Sequence, residues 1–312
     1  MRQLRYLEPS STSQYDISFA DGWDSILPGL EDDRLFLDTY PDEKLLERFE
    51  HYGIMRGVRR AGIKSVTLKL NTSDPGFQNL EIFSKDPPLD DPIAEVTLHK
   101  GMFSTKAGFA EKLYGEVIPM VFIQWIRLQN PLRQFTAKRP QLPGQKFPGL
   151  GVGDRVMIML SALGEKMKTE GLANTPEYPH NAVLYSQKFM YLNPETQGRL
   201  TALKRDLGKY ALADGSWGIM LGCVREVRSG ETFQWFKEEQ ILPIGPRLRY
   251  YFGSRAYKVA ASTAASSVSY ELDAGKLASL PRVLTTAAPA DIVVGDPGDE
   301  EDAAATPPQT RP

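Results

Sequence analysis

Chemistry in this chain would have to come from one run of alternating glycines and a few side chains around it. The run is Pro148-Gly149-Leu150-Gly151-Val152-Gly153-Asp154, and an apolar periodic stretch follows at once. Alternate glycines let the backbone approach a ligand closely. At the start of a helix, successive N–H groups also point outward at the positive end of its dipole, which suits a diphosphate. Gly149, Leu150, Gly151, Val152, Gly153 and Asp154 are therefore the candidate ligand-binding residues. Arg133, Lys138, Arg139 and Lys146 form a basic loop just upstream that could attract phosphates by charge.

Four further residues carry exchangeable protons near this run or in the segments before it. His180 stands directly before Asn181-Ala182-Val183-Leu184-Tyr185. Its imidazole can exchange protons near neutral pH, and a capping or loop histidine is the plain alternative. Tyr185, read alone, is a packing residue on a helix. Glu95, in Ile93-Ala94-Glu95-Val96-Thr97-Leu98-His99, alternates with apolar neighbours and faces either solvent or a cleft, and Glu116 is a second carboxylate of the same standing. The one cysteine, Cys223, lies in the apolar stretch Trp217 to Val224, a setting for a buried, inert thiol. One cysteine cannot form an internal disulfide, and no Cys/His cluster at ligand spacing accompanies it, so no metal site and a reducing compartment are expected.

The elements that must position these residues are legible from periodicity. Arg34 to Tyr40 reads as a short strand closed by Pro41. Asp42 to Tyr52 has Leu45, Leu46 and Phe49 at helical spacing and ends at Gly53, and a basic helix over Ile54 to Ala61 stops at Gly62. The pattern then switches to period two: Val66, Leu68 and Leu70, then Leu80 to Phe83, then Ile93 to His99, then the heavily apolar Pro119 to Leu128, which reads as a central strand. Asn130 to Pro148, rich in Pro, Gly and basic residues, reads as a loop. After the glycines, Val156, Leu160, Leu163 and Met167 form the apolar face of a helix. A short strand at Leu172 to Asn174, a helix over Asn181 to Lys188 and helices over Arg199 to Tyr210 and Pro246 to Ala260 complete the reading. Strands in a block with helices interspersed argue for an α+β or mixed α/β fold.

Composition narrows the function classes. With 37 basic and 39 acidic residues the formal charge is −2, which argues against coating nucleic acid through bulk charge. Met1 to Asp21 lacks the apolar run of a secretory signal, and the longest apolar stretch, Val117 to Ile126, is interrupted by Gln124. A cytoplasmic protein without membrane or nucleic-acid partners is expected. From Ala261 the chain turns rich in Ala, Ser, Thr and Pro and then acidic at Asp299 to Asp302, which reads as a mostly disordered tail over 261–312.

The glycine turn and the Asn181 to Tyr185 segment together resemble the two signature segments of the GNAT (acyl-CoA N-acyltransferase) superfamily, of which the chain would be a divergent member. The resemblance covers Arg34 to Leu192, most specifically Pro148 to Tyr191. It implies a GNAT-like, mostly antiparallel central sheet flanked by helices over 34–192, with an N-terminal extension over 1–33 and a C-terminal helical appendage over 193–260. It also implies acetyl-CoA or another acyl-CoA as co-substrate and a small-molecule or protein amine as acceptor. The backbone of Leu150 to Asp154 would take the pyrophosphate, Asn181 would orient the pantetheine side, and Tyr185 would protonate the departing thiolate. A strand carboxylate, Glu95 or Glu116, or else His180, would serve as base toward the amine. The alternative expectation is a non-catalytic binding or sensing protein on the same fold, favoured by Pro148, which has no N–H, and by the negative charge of Asp154.

Overall fold

Period-two alternation builds a sheet here, and period-3.6 stretches supply the helices that cover it. The computed structural model describes residues 15–19, 35–37, 40–71, 77–105 and 117–283. Its strands are β1 (Tyr15–Phe19), β2 (Leu35–Phe36), β3 (Tyr40–Pro41), β4 (Ser65–Asn71), β5 (Phe77–Asp86), β6 (Ala94–Thr105), β7 (Val117–Leu128), β8 (Gly171–Asn174), β9 (Met190–Tyr191), β10 (Val224–Glu226), β11 (Gln240–Pro243) and β12 (Tyr270–Leu272). Its helices are α1 (Asp42–His51), α2 (Ile54–Arg60), α3 (Gly153–Lys166), α4 (Pro179–Tyr185), α5 (Pro194–Leu207), α6 (Leu212–Met220), α7 (Pro246–Gly253), α8 (Arg255–Ser267) and α9 (Ala274–Ser279). All fall in one compact unit that ends at Arg282.

The main sheet runs β4-β5-β6-β7-β8-β11-β9, with β1 alongside the outer half of β6. Every neighbouring pair is antiparallel except β7 and β8, which are parallel. Alternation along β7 sends Val121 and Ile123 to one face and Met120 and Phe122 to the other. The first face packs with Leu45 and Phe49 of α1, Val58 of α2, and Val156, Leu160 and Leu163 of α3. The second packs with Leu248, Tyr251 and Phe252 of α7 and Tyr257 of α8. Burial on both sides explains the heavy apolar content of β7, as a central strand requires.

The structure departs from the sequence reading at several boundaries. The expected single strand at Arg34 to Tyr40 is replaced, in its described part, by two short strands, β2 and β3, that pair antiparallel, with Leu37 at a positive φ of 49°. The domain limit at Leu192 falls inside the sheet, because β11, nearly fifty residues further on, inserts between β8 and β9. The expected tail beginning at Ala261 is instead the middle of α8, followed by β12 paired to β10 and by α9. Helix α8 is separated from α7 by Ser254, whose extended backbone and hydroxyl bonded to the Tyr257 N–H form a helix cap. Most of the N-terminal extension, Glu116 and the acidic cluster Asp299 to Asp302 lie outside the described residues.

Candidate functional site

The glycine turn sits directly against the end of β7, although eighteen or more residues intervene in the chain. The excursion from Asn130 to Pro148 closes on itself: the Asn130 N–H donates to the Pro148 carbonyl at 2.7 Å, Gln129 and Gly149 form a bridge, and the Leu150 N–H donates to the Leu128 carbonyl at 3.1 Å. Gly151 then takes a left-handed φ of 80°, is exposed, and has open space where a side chain would stand. Val152 is buried against Gly57 of α2, where no Cβ would fit, and this contact aims the start of α3. No side chain caps α3; the Arg155 N–H turns back to the Val152 carbonyl at 3.0 Å, while the Gly153 and Asp154 N–H groups lack the oxygen that a Ser or Asp at Val152 would have supplied. Asp154 is exposed in the first turn. Arg155 lies over Gly53 and donates to the Tyr52 carbonyl at 3.3 Å, tying α3 to the junction of α1 and α2.

Upstream of the turn, the edge of β7 is left open. Its parallel pairing with β8 runs from Met120 opposite Gly171 to Ile123 opposite Asn174, and there it stops. The register with β6 shifts at the same place, since Leu98 faces Ile123 and Thr97 faces Trp125, which leaves Gln124 as a bulge. The bulge re-aims the side chains that follow it while the pairing with β6 continues to Leu128, and bulges recur beside binding sites. Among the described residues no strand pairs with Gln124 to Leu128 on the β8 side, and the next pairing along that edge is the Gln129–Gly149 bridge. At roughly 3.3 Å per residue the open edge is about 15 Å long. It presents backbone donors and acceptors that an extended, amide-bearing ligand could pair with, and the glycine turn closes its far end.

The predicted side chains distribute around this edge unequally. Ile126 and Leu128 turn toward the helix-covered face, where Tyr185 packs on the same apolar cluster as Leu150 and Val152. Asn181 and Tyr185 are four residues apart on α4 and share a face. Burial pushes the Tyr185 hydroxyl up to about 12, so at neutral pH it holds its proton, and it has no hydrogen-bond partner among the described residues. Glu95 lies on the other face of the sheet. Arg127 Nη2 contacts its carboxylate at 2.6 Å and the Trp125 indole N–H donates to it at 3.2 Å.

His180 is about 140° around α4 from Tyr185 at 100° per residue, and it goes elsewhere. It is buried, its Nδ1 is 3.1 Å from Ser216 Oγ of α6, and its ring stacks on Tyr178. Burial drives its pKa down to about 4, leaving a neutral imidazole. Of the basic loop, Lys146 is engaged by Asp91 at 2.7 Å and its charge is already answered. Cys223 is buried and its thiol is pushed up by burial, the inert environment its neighbours implied.

Trp125 and Arg127 escaped the sequence reading, as did the bulge at Gln124. The one available signal was the polar Gln124 inside an otherwise apolar run. Among the described residues no group of three or more His, Cys, Asp or Glu side chains could hold a metal ion, and no helix is long and apolar enough to cross a membrane. No protein-family model matches the chain, and no curated protein is similar to it at a significant level.

Proposed function

We propose that this protein transfers an acyl group from an acyl-CoA to an amine, as a divergent N-acyltransferase of the GNAT type. The observation that carries the reading is the unpaired edge of β7 beyond its parallel pairing with β8, which ends at an uncapped, glycine-built helix start. One end offers N–H groups to a diphosphate and the open strand edge offers amide partners to a pantetheine arm. Acyl-CoA would supply the acyl group as an activated thioester. The N–H groups of Gly151 to Asp154 hold the diphosphate, the Leu150 N–H being already taken by the Leu128 carbonyl; the β7 edge and Asn181 hold the arm, and the Tyr185 hydroxyl keeps a proton for the departing sulfur. An amine must be neutral to attack, and Glu95, with Arg127 and Trp125, lies on the opposite face, where an acceptor could enter. Because its carboxylate is already engaged, Glu95 takes a proton only through water.

A second reading, binding without transfer, is favoured by that engagement of Glu95 and by the diversion of His180. Two measurements separate the readings. Millimolar coenzyme A should raise the melting temperature by mass action, and Gly151→Val should remove the shift. An unchanged melting temperature for the native sequence overturns both readings. Tyr185→Phe should then slow acylation of an amine by roughly 10²- to 10⁴-fold with cofactor affinity unchanged, the usual worth of a general acid. Binding without acylation of any amine in a broad panel leaves the second reading standing.

A further inference from the structure

The far side of α4 borders a different, half-open space. Between α4, α5 and α6 lies a cavity of about 240 Å³, walled by Val183, Leu200, Leu203, Leu207, Ile219 and Trp235. A dry apolar cavity of about 150 Å³ accepts benzene, so this one has room for a body of about ten heavy atoms. Its polar groups are few and convergent, the pattern of a small-molecule site. His180 and Ser216 meet in the wall as a neutral pair at 3.1 Å. Lys204 stands exposed at the rim, with its ammonium donating to Ser186 Oγ at 2.8 Å, and Ser186 in turn donates to the Val183 carbonyl at 2.7 Å. Lys204 is the charged side chain in the lining, and no carboxylate joins it there. The walls want an apolar body and the rim wants one negative charge.

We propose that this cavity binds a monocarboxylic acid with an aliphatic body of medium length, its carboxylate on Lys204 and its chain among the leucines of α5. Shape alone would accept an alcohol of the same length, and the ammonium is what selects the acid, because a hydrogen bond to a charged group is worth more than a neutral one. The wall residue Trp235 is held by its indole N–H on the Pro176 carbonyl at 3.2 Å and by stacking on Phe236. It is therefore a fixed surface against which a chain can lie. The site does not depend on the acyl-CoA reading, since its residues occupy another face of α4 from Asn181 and Tyr185.

The test is calorimetric titration of the full chain with octanoate and, separately, with 1-octanol. Octanoate should bind saturably. Lys204→Gln should weaken it about tenfold, the worth of a lost charged hydrogen bond, and should leave 1-octanol unchanged. Gly215→Leu fills the cavity from α6, where an added Cβ meets only Leu207 at ordinary contact distance, and it should abolish both titrations. Gly151→Val, which strikes the glycine turn, should bind octanoate as the native sequence does. No saturable octanoate binding overturns the proposal, as does octanoate binding that survives Gly215→Leu in a folded variant. Should that variant fail to fold, equal octanoate affinity in Lys204→Gln and the native sequence overturns the assignment of the carboxylate.

Discussion

Two regions look loose by composition, Asn130 to Pro148 and the stretch from Ala261 to Arg282, and the fold makes opposite use of them. The first is a true loop with few buried side chains. It is held by hydrogen bonds at its base and by scattered anchors: Asn130 Nδ2 on the Ala61 carbonyl, the Trp217 indole on the Gln141 carbonyl at 2.9 Å, and Tyr178 packed where a side chain on Gly144 would stand. The second is regular structure that buries Ala265, Tyr270, Leu272 and Leu277. Its first part packs through small residues. A Cβ on Gly198 of α5 would stand 2.5 Å from the Ala261 carbonyl oxygen and from Ala264 Cβ, so the two helices touch backbone to backbone. Arg205 then donates to the carbonyls of Ala265 and Val268, and the Tyr270 N–H donates to Asp206. An Ala- and Ser-rich stretch is poor in apolar bulk, yet close approach gives it many dispersion contacts, which the basic loop does not have.

The contrast breaks most clearly by truncation. Ending the chain after Ala260 removes four buried side chains and the partner strand of β10, and it should cost about 5 kcal/mol or more, enough to unfold a typical domain. Ending it after Arg282 should change unfolding free energy by no more than about 0.5 kcal/mol. Equal stability of the two truncations, measured by urea denaturation, would show that α8 to α9 add nothing to the fold. Gly198→Val tests the close approach itself: overpacking against backbone should cost about 3 kcal/mol in the same assay.

His180 sharpens the other side, because Tyr178, which anchors the loop at Gly144, stacks on its ring. The folded pKa of about 4 lies below the ordinary 6.5, so the unfolded chain takes up the proton first as pH falls. The resulting stability is complete above pH 6.5 and is lost as pH falls toward 4, by an amount on the order of 3 kcal/mol. Unfolding curves at pH 7 and pH 4.5 should differ less in His180→Gln than in the native sequence. An identical pH dependence would assign it to other groups. The smallest effect belongs to the loop surface. Lys146→Ala breaks an exposed pair with Asp91 and should cost under about 1 kcal/mol; on the acyl-CoA proposal it should hardly alter coenzyme A affinity, and a large loss would make Lys146 a phosphate ligand.

Local chemistry was readable from the chain alone. Period two marked β4 to β7, the spacing of Val156, Leu160, Leu163 and Met167 marked α3, and alternate glycines marked where that helix starts, because each signal is written within about ten residues. The apolar setting of Cys223 likewise announced a buried thiol. Tertiary structure decided everything that depends on distant segments meeting. The insertion of β11 between β8 and β9, the pairing of Glu95 with Arg127, the closure of the loop that brings Gly149 beside Leu128, and the turning of His180 into a cavity of three helices all join residues far apart in sequence. Such contacts leave no local pattern, since a strand edge or a helix face does not encode which partner will cover it.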